Sequence, residues 1–381
     1  MTPAAILGLA ALLGQVVGPP APPAETATMA TPEASRKALE RGIAYLVKDQ
    51  NPDGSWGGPR NKTFTDSFAN ASTHDAWVVG TTGLVCTALL EQTLGPPAER
   101  ALTRGLDYVI AHADVRRPAE WDVDNVWGVT YGLQAVARAL STTRSGLPDR
   151  QRLVAAGEKL LQVLERIQSP RGGWAYYAAP NAAWRPEWVT SFTTAVAVLA
   201  LLDAKAAGLP VRDAVLRGAV RAIQGCRLPT GAYTYSLAAV ASPEGLTRIN
   251  QVKGSLSRIQ VCNLALTRAG VTLPPDEMRR GVELFFQHHR FLDCGLRKPI
   301  PHEAYYQIAA YFYLFGHAYV ADVIATLPPA ARAQLWPRLR QEVVKTQESD
   351  GGFWDFYISS HTKPYGTAFS VLALGRSLRD A

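Results

Sequence analysis

Asp122-Val123-Asp124-Asn125, flanked by Trp121 and Trp127, has the composition of an acid site. Closely spaced carboxylates held against indoles repel one another's charge and lose solvation. One of them can therefore keep a proton and deliver it as a general acid. Five further strings mix acids, histidines and aromatics in the same way. They are Thr73-His74-Asp75-Ala76-Trp77, Trp184-Arg185-Pro186-Glu187-Trp188, Asn250-Gln251-Val252-Lys253, His302-Glu303-Ala304-Tyr305-Tyr306 and His361-Thr362-Lys363-Pro364-Tyr365. Aromatic walls with a few convergent polar groups are the usual form of a ligand pocket. With Asp122, Asp124 and Glu187, the same groups also make the carboxylate pair of a glycan-active enzyme.

Each residue also has a plainer reading. Asp75, Asp122 and Glu187 are what a helix N-terminus favours, because acids there complement the dipole and cap free amides. Trp77, Trp127 and Trp188 can be core. Capping does not ask for histidine or tryptophan, so the recurrence of all three types at one address favours a shared site. A looser set, His289, Cys294 and His302, has the chemistry to bind zinc but no recognised ligand spacing; a polar structural loop is the simpler reading, and no cofactor is expected.

The elements that place these strings are written by a repeat. Arg41 to Trp56 reads as the end of an amphipathic helix, with Leu39, Ile43, Leu46 and Val47 at helical spacing. The helix then stops at Asn51-Pro52-Asp53-Gly54, where proline lacks a donor and glycine accepts positive φ. Related turns follow at Gln168 to Trp174, Gln224 to Tyr233 and Gln347 to Trp354, and Arg-Gly recurs at 104–105, 217–218 and 280–281. Helix pairs result. Outer helices are expected near 33–49, 98–112, 152–167, 211–224, 276–288 and 332–346, and more apolar inner helices near 75–92, 124–140, 188–204, 254–269, 303–315 and 364–378. Six pairs bury both kinds of face if they curl into a closed ring. The expected fold is all-α, an α/α toroid of about six helical hairpins. Its parallel inner helices start at one mouth, where the six strings gather.

Arg41-Gly42, Tyr45, Gln50 and Gly54-Ser55-Trp56 resemble the QW repeat of squalene and oxidosqualene cyclases, shared more loosely with protein prenyltransferase β subunits. The resemblance covers residues 35–381 as repeats and is clearest at 41–56, 168–174 and 347–354. It implies a terpene-cyclase-like ring with an apolar, isoprenoid-class ligand. Asp122-Val-Asp124-Asn125 is similar to the Asp-x-Asp-Asp acid motif of squalene–hopene cyclases. That likeness would make Asp124 the proton donor and Asp122 its neighbour, with Asn125 replacing the last acid. The prenyltransferase zinc motif is not kept, since Tyr365-Gly366-Thr367 has glycine in the place of the histidine. Glycan-degrading enzymes use six-hairpin toroids too, and a non-catalytic binding or scaffold ring is the remaining reading.

Composition bounds the rest. Hydrophobic residues at 47% and charged residues at 19% describe a globular chain. The net charge of +7 comes with no dense Lys/Arg run, which argues against a nucleic-acid surface. The four cysteines lie far apart, and Cys86 and Cys262 read as buried thiols. Residues 4–17 form an apolar run too short to span a bilayer, followed by a Pro-rich stretch and Thr28-Met29-Ala30. That layout predicts a signal peptide over 1–30, a single domain over 31–381 and export, with an uncleaved N-terminal anchor as the alternative. No protein partner is indicated.

Overall fold

The computed structural model describes residues 29–58, 74–115, 125–178, 187–237, 247–357 and 362–380. Among them there is no β-strand, only three isolated bridges. The outer helices are α1 (Pro32–Asp49), α3 (Pro96–Ala111), α5 (Arg150–Arg166), α7 (Asp213–Gly225), α9 (Glu277–Gln287) and α12 (Pro329–Val344). The inner helices are α2 (Asp75–Leu90), α4 (Asn125–Leu140), α6 (Ser191–Ala206), α8 (Leu256–Arg268), α11 (Phe312–Ala325) and α13 (Lys363–Ser377). A four-residue α10 (Arg290–Asp293) follows α9. The inner helices pack in the order α2, α4, α6, α8, α11, α13, and α13 packs on α2. The ring is closed.

Pattern decides which helix goes where. α1 buries only the stripe Ser35, Ala38, Gly42 and Leu46, one face at a spacing of three to four residues. α13 buries every residue from Lys363 to Ser377, as an element surrounded on all sides must. One inner helix departs from expectation. The fifth starts at Phe312 rather than near 303, because Pro299 and Pro301 precede it and His302 and Gln307 hold left-handed φ of 64° and 56°. Glu303, Tyr305 and Tyr306 therefore lie in a loop ahead of that helix.

Each turn rivets three helices together. Trp56 Nε1 donates to Leu46 O of its own outer helix (2.7 Å), and Trp56 N donates to Thr82 Oγ1 of the following inner helix (2.9 Å). Gln50 Nε2 reaches Ala101 O of the next outer helix (2.8 Å). Gln168 and Trp174 repeat these bonds to Val215 O, Leu164 O and Thr194 Oγ1. The last turn closes the circle: Gln347 Nε2 donates to Ala38 O of α1 (2.8 Å), and Arg41 Nη2 donates to Glu348 O and Ser349 O. Glycine is required at the tip. Gly54 and Gly351 have φ of +92° and +91°, and a Cβ on either would stand 2.7 Å from the carbonyl oxygen of Arg104 or Arg41.

Two registers differ from the sequence reading. In the third turn Arg227, not the exposed Gln224, lies six residues before the buried ring of Tyr233 and forms the bridge that Gln347 forms with Phe353. Arg227 then pairs with Glu277 of α9 at 3.2 Å. In the last turn Phe353 fills the indole position at 0% exposure, and Trp354 turns aside to donate to Phe356 O and Thr362 Oγ1.

The far end of the ring is sealed by charge. Near its C-terminus each inner helix contributes one ionic side chain: Glu91, Arg138, Asp203, Arg268, Asp322 and Arg376 in ring order. Their signs alternate. Arg138 binds Glu91 (2.9 Å) and Asp203 (3.0 Å), Arg268 binds Asp203 (2.6 Å), and Arg376 binds Asp322 (2.8 Å) and Glu91 (2.7 Å). Burial alone would raise the Glu91 carboxyl, but Arg376, Arg138 and Arg379 outweigh it and hold the group at about 2.

Candidate functional site

Above this seal the axis is filled with rings. Trp127 of α4 and Phe315 of α11, on opposite sides of the circle, meet at 6.4 Å. Phe192 lies 5.0 Å from Phe312 and 6.0 Å from Trp127, and Phe369 lies 5.7 Å from Phe315 and 6.2 Å from Tyr131. These rings make a floor, with Phe192, Phe312, Phe315 and Phe369 all buried. Among the described residues these rings thus cross the axis at the inner-helix N-terminal end and form an aromatic bowl there. Around the bowl stand Trp77 and Tyr365 (5.5 Å apart), Tyr176 with Trp188 (5.3 Å), and Tyr235 with Phe192 (5.3 Å).

The polar centre of the bowl comes from two distant segments, one with Tyr235 and one with His302 and Tyr311. His302 Nδ1 lies 2.6 Å from Gln307 O, which only accepts, so Nδ1 carries the proton and Nε2 is the acceptor. Tyr311 Oη, 3.2 Å away, donates to that nitrogen, and Tyr235 Oη lies 3.3 Å from Tyr311 Oη. The result is a directed chain from Tyr235 through Tyr311 to His302. Burial lowers the His302 pKa below its ordinary value, and the nearby Arg258 guanidinium adds to this while the Gln307 bond opposes it. His302 is a neutral acceptor at the end of a two-hydroxyl relay, able to draw a proton from a group bound at Tyr235.

Arg258 of α8 was not singled out from sequence. It is 1% exposed and lies against the rings of Tyr235 (5.5 Å) and Phe312 (5.7 Å). Its Nε donates to Tyr233 O (3.4 Å) and its Nη2 to Ile249 O. Among the described residues no carboxylate pairs with it, and burial pulls its pKa down to about 10. A buried guanidinium held, among the described residues, by carbonyls and ring faces has the chemistry to receive an anion, since an uncompensated buried charge is costly.

The residues expected at the mouth are distributed as follows. Trp127, Trp188, His302, Trp77 and Tyr365 all belong to the bowl. His74 precedes α2 and Asp75 begins it. Asp75 opens onto a separate cleft of about 770 Å³ between α2, α3 and the first turn, shared with Asp107, Tyr108 and His112. Glu187 is exposed. Glu303 faces Lys298 at 3.6 Å, and Tyr305 is 63% exposed beneath Arg248. Asp122, Asp124 and His361 lie outside the described residues. The zinc set is not assembled: Cys294 is exposed, His302 is committed within the bowl, and His289 bonds elsewhere.

No protein-family model matches the sequence, and no curated protein sequence does either. Solved structures do match in fold. The apo type II terpene cyclase MstE from Scytonema is 12% identical over 92% of this chain and 100% of its own, with a TM-score of 0.57. A variant of the same cyclase was solved with geranylgeranyl dihydroxybenzoate, its substrate (12% identity, 92% of this chain, 99% of that one, TM-score 0.55). An unsaturated glucuronyl hydrolase from a Bacillus species is 11% identical over 89% of this chain and 96% of its own, at 0.62. An inactive α-1,6-mannanase variant from Salegentibacter, bound to α-1,6-mannotriose, is 10% identical over 91% and 100%, at 0.56. At these identities the likeness is one of fold: an α/α toroid shared by terpene cyclases and glycan-active hydrolases.

Proposed function

We propose that this chain is a terpene-cyclase-like, QW-repeat toroid whose aromatic bowl binds a bulky apolar ligand of the isoprenoid class through a single acidic or hydrogen-bonding head. One observation carries the reading: among the described residues the buried cation Arg258 has no carboxylate partner, and it is set against the apolar rings that would hold the ligand's body. Ring faces accept branched hydrocarbon, while the guanidinium and the Tyr235–Tyr311–His302 chain accept the head. A glycan reading asks for paired carboxylates in the bowl, and the described acids Asp75, Glu187 and Glu303 are dispersed to other surfaces. Export and removal of residues 1–30 belong to the same proposal. So does acid catalysis by Asp124, which would turn binding into cyclisation.

The test is tryptophan fluorescence of the tag-free chain titrated with geranylgeranoic acid, with geranylgeraniol and with α-1,6-mannotriose, beside mass spectrometry of its organic extract. The acid binds more tightly than the alcohol, and Arg258→Met removes that preference, a loss of about 10-fold or more for one charge-assisted bond. Binding of the mannotriose alone, or an acid preference unchanged in Arg258→Met, refutes the reading. Product formation from the acid that Asp124→Asn abolishes identifies turnover.

A further inference from the structure

The junction between α9 and α12 lacks the riveting turn that joins four other pairs of hairpins. In its place His289, Asp293 and Glu342 converge at the outer rim, away from the bowl. His289 Nδ1 lies 3.2 Å from Asp293 Oδ2 and 3.3 Å from Glu342 Oε2. The three ligand atoms all lie within 4.8 Å of one another. The other face of the ring is fixed: His289 Nε2 stands 2.9 Å from His317 Nε2, and His317 Nδ1 stands 2.7 Å from Tyr313 O.

Proton bookkeeping then determines what faces the acids. Tyr313 O only accepts, so His317 carries its proton on Nδ1 and offers a lone pair at Nε2. His317 is 0% exposed, and that burial holds its pKa well below the ordinary imidazole value. His289 must therefore donate from Nε2. This leaves Nδ1 facing two carboxylate oxygens, whose charge a ring proton, the Lys345 ammonium or a bound cation can balance. The two oxygens are nearly equidistant from Nδ1, so a ring proton there would be shared between them in a weaker three-centre bond. A tetrahedral cation with bonds of about 2.1 Å places its ligands about 3.4 Å apart, close to both separations.

We infer that His289 Nδ1, Asp293 Oδ2 and Glu342 Oε2 form a binding site for a divalent transition cation of the zinc class, with one position open to solvent. The nitrogen–carboxylate set suits that class, and the His289–His317 bond is the outer-shell contact that orients a ligating imidazole. Entry is open, with side-chain exposures of 39% for Asp293 and 24% for Glu342. Lys345 is the resident competitor. Its ammonium lies 3.0 Å from Asp293 Oδ1 and against Glu342 Oε2, while Tyr313 Oη also donates to Asp293 Oδ1 at 3.2 Å. On metal binding Lys345, 36% exposed, yields Glu342 and turns to Asp293 Oδ1 and solvent.

The test titrates the tag-free full chain with Zn(II) against a chromophoric chelator and with Co(II) by visible absorption. One equivalent binds, with the intense d–d bands of four-coordinate Co(II). Glu342→Gln and Asp293→Asn each weaken binding on the order of 10- to 100-fold. Lys345→Met tightens it by removing the competing charge. His289 variants are not relied upon, because they also strip a buried partner from His317; circular dichroism checks that the carboxamide variants keep the fold. No binding up to millimolar metal, affinity unchanged in Glu342→Gln, or no tightening in Lys345→Met overturns the inference and leaves a second ring proton as the positive centre.

Discussion

Asp355 allows the burial physics of this ring to be measured at one carboxyl. It follows the last turn, is 0% exposed, and accepts bonds from Tyr365 Oη (2.8 Å) and Leu314 N (3.2 Å), so it ties the sixth hairpin to the first turn of α11. Burial pushes its pKa up from 3.8 to about 7, and the bonds from Tyr365 and the Leu314 amide offset this only in part. The folded chain therefore holds a proton that the unfolded chain has released. This contribution to stability is fully present below pH 3.8 and is lost as pH rises through about 7. About three pH units at ~1.36 kcal/mol each set its size at about 4 kcal/mol, to order of magnitude. Asp355→Asn cannot ionise, and its amide satisfies one of the two donors, at a cost of about 1 kcal/mol. The variant is thus less stable than the parent near pH 4 and more stable, by about 3 kcal/mol, near pH 8. Urea unfolding followed by circular dichroism across that range gives the difference between the two proteins, in which their other titrations cancel. A difference that stays flat with pH, or a variant weaker throughout, refutes the argument.

Other perturbations test other joints. Glu91 titrates in the opposite sense: its carboxyl is held down at about 2, so its stabilisation is present above 4.5 and lost as pH falls through 2. Glu91→Gln should cost about 3–5 kcal/mol at neutral pH, the range for breaking a buried pair, and should flatten the acid limb of stability against pH. Gln347→Ala removes the bonds to Ala38 O and Gly351 O and should cost about 1–3 kcal/mol in denaturant melts, matching Gln50→Ala and Gln168→Ala within about 1 kcal/mol. A markedly larger loss at Gln347 would mean that the closing joint differs in kind from the rest. Secretion from a heterologous host followed by intact-mass measurement should give a chain beginning at Thr31; a mass retaining residues 1–30 supports the anchor instead.

The hairpins were legible because their punctuation is local: a glutamine, a left-handed glycine and a large ring lie within one turn of chain. Five inner helices begin within three residues of expectation. The fifth does not, since Ala309-Ala310 and their neighbours are apolar enough to continue a helical pattern across a segment that two prolines and two left-handed residues break. Local reading also misplaced the third turn, where Arg227 does from a charged side chain what glutamine does elsewhere. What the turns connect was not legible. That Gln347 reaches Ala38 is a fact of closure, not of spacing. His302 was expected at the start of an inner helix and lies instead in the loop ahead of α11, where Tyr235 and Tyr311 join it from a turn and a helix start that carry no shared motif. Arg258 looks like any arginine in an inner helix until its burial, with no acid beside it among the described residues, is seen. A signal did exist for the charged seal: each inner helix has an ionic residue near its end (α6 has Lys205 besides Asp203), visible once the six are aligned by their C-termini rather than their starts.

That seal constrains number. Opposite signs can alternate around a circle only when its members are even, as in a ring of antiferromagnetic spins. Removing or duplicating a single hairpin would set two like charges side by side in a buried place, whereas adding or losing hairpins two at a time would not. The six-fold count is thus guarded by parity as well as by the curvature of the packed helices, and a lineage that changed its size would be expected to do so by pairs.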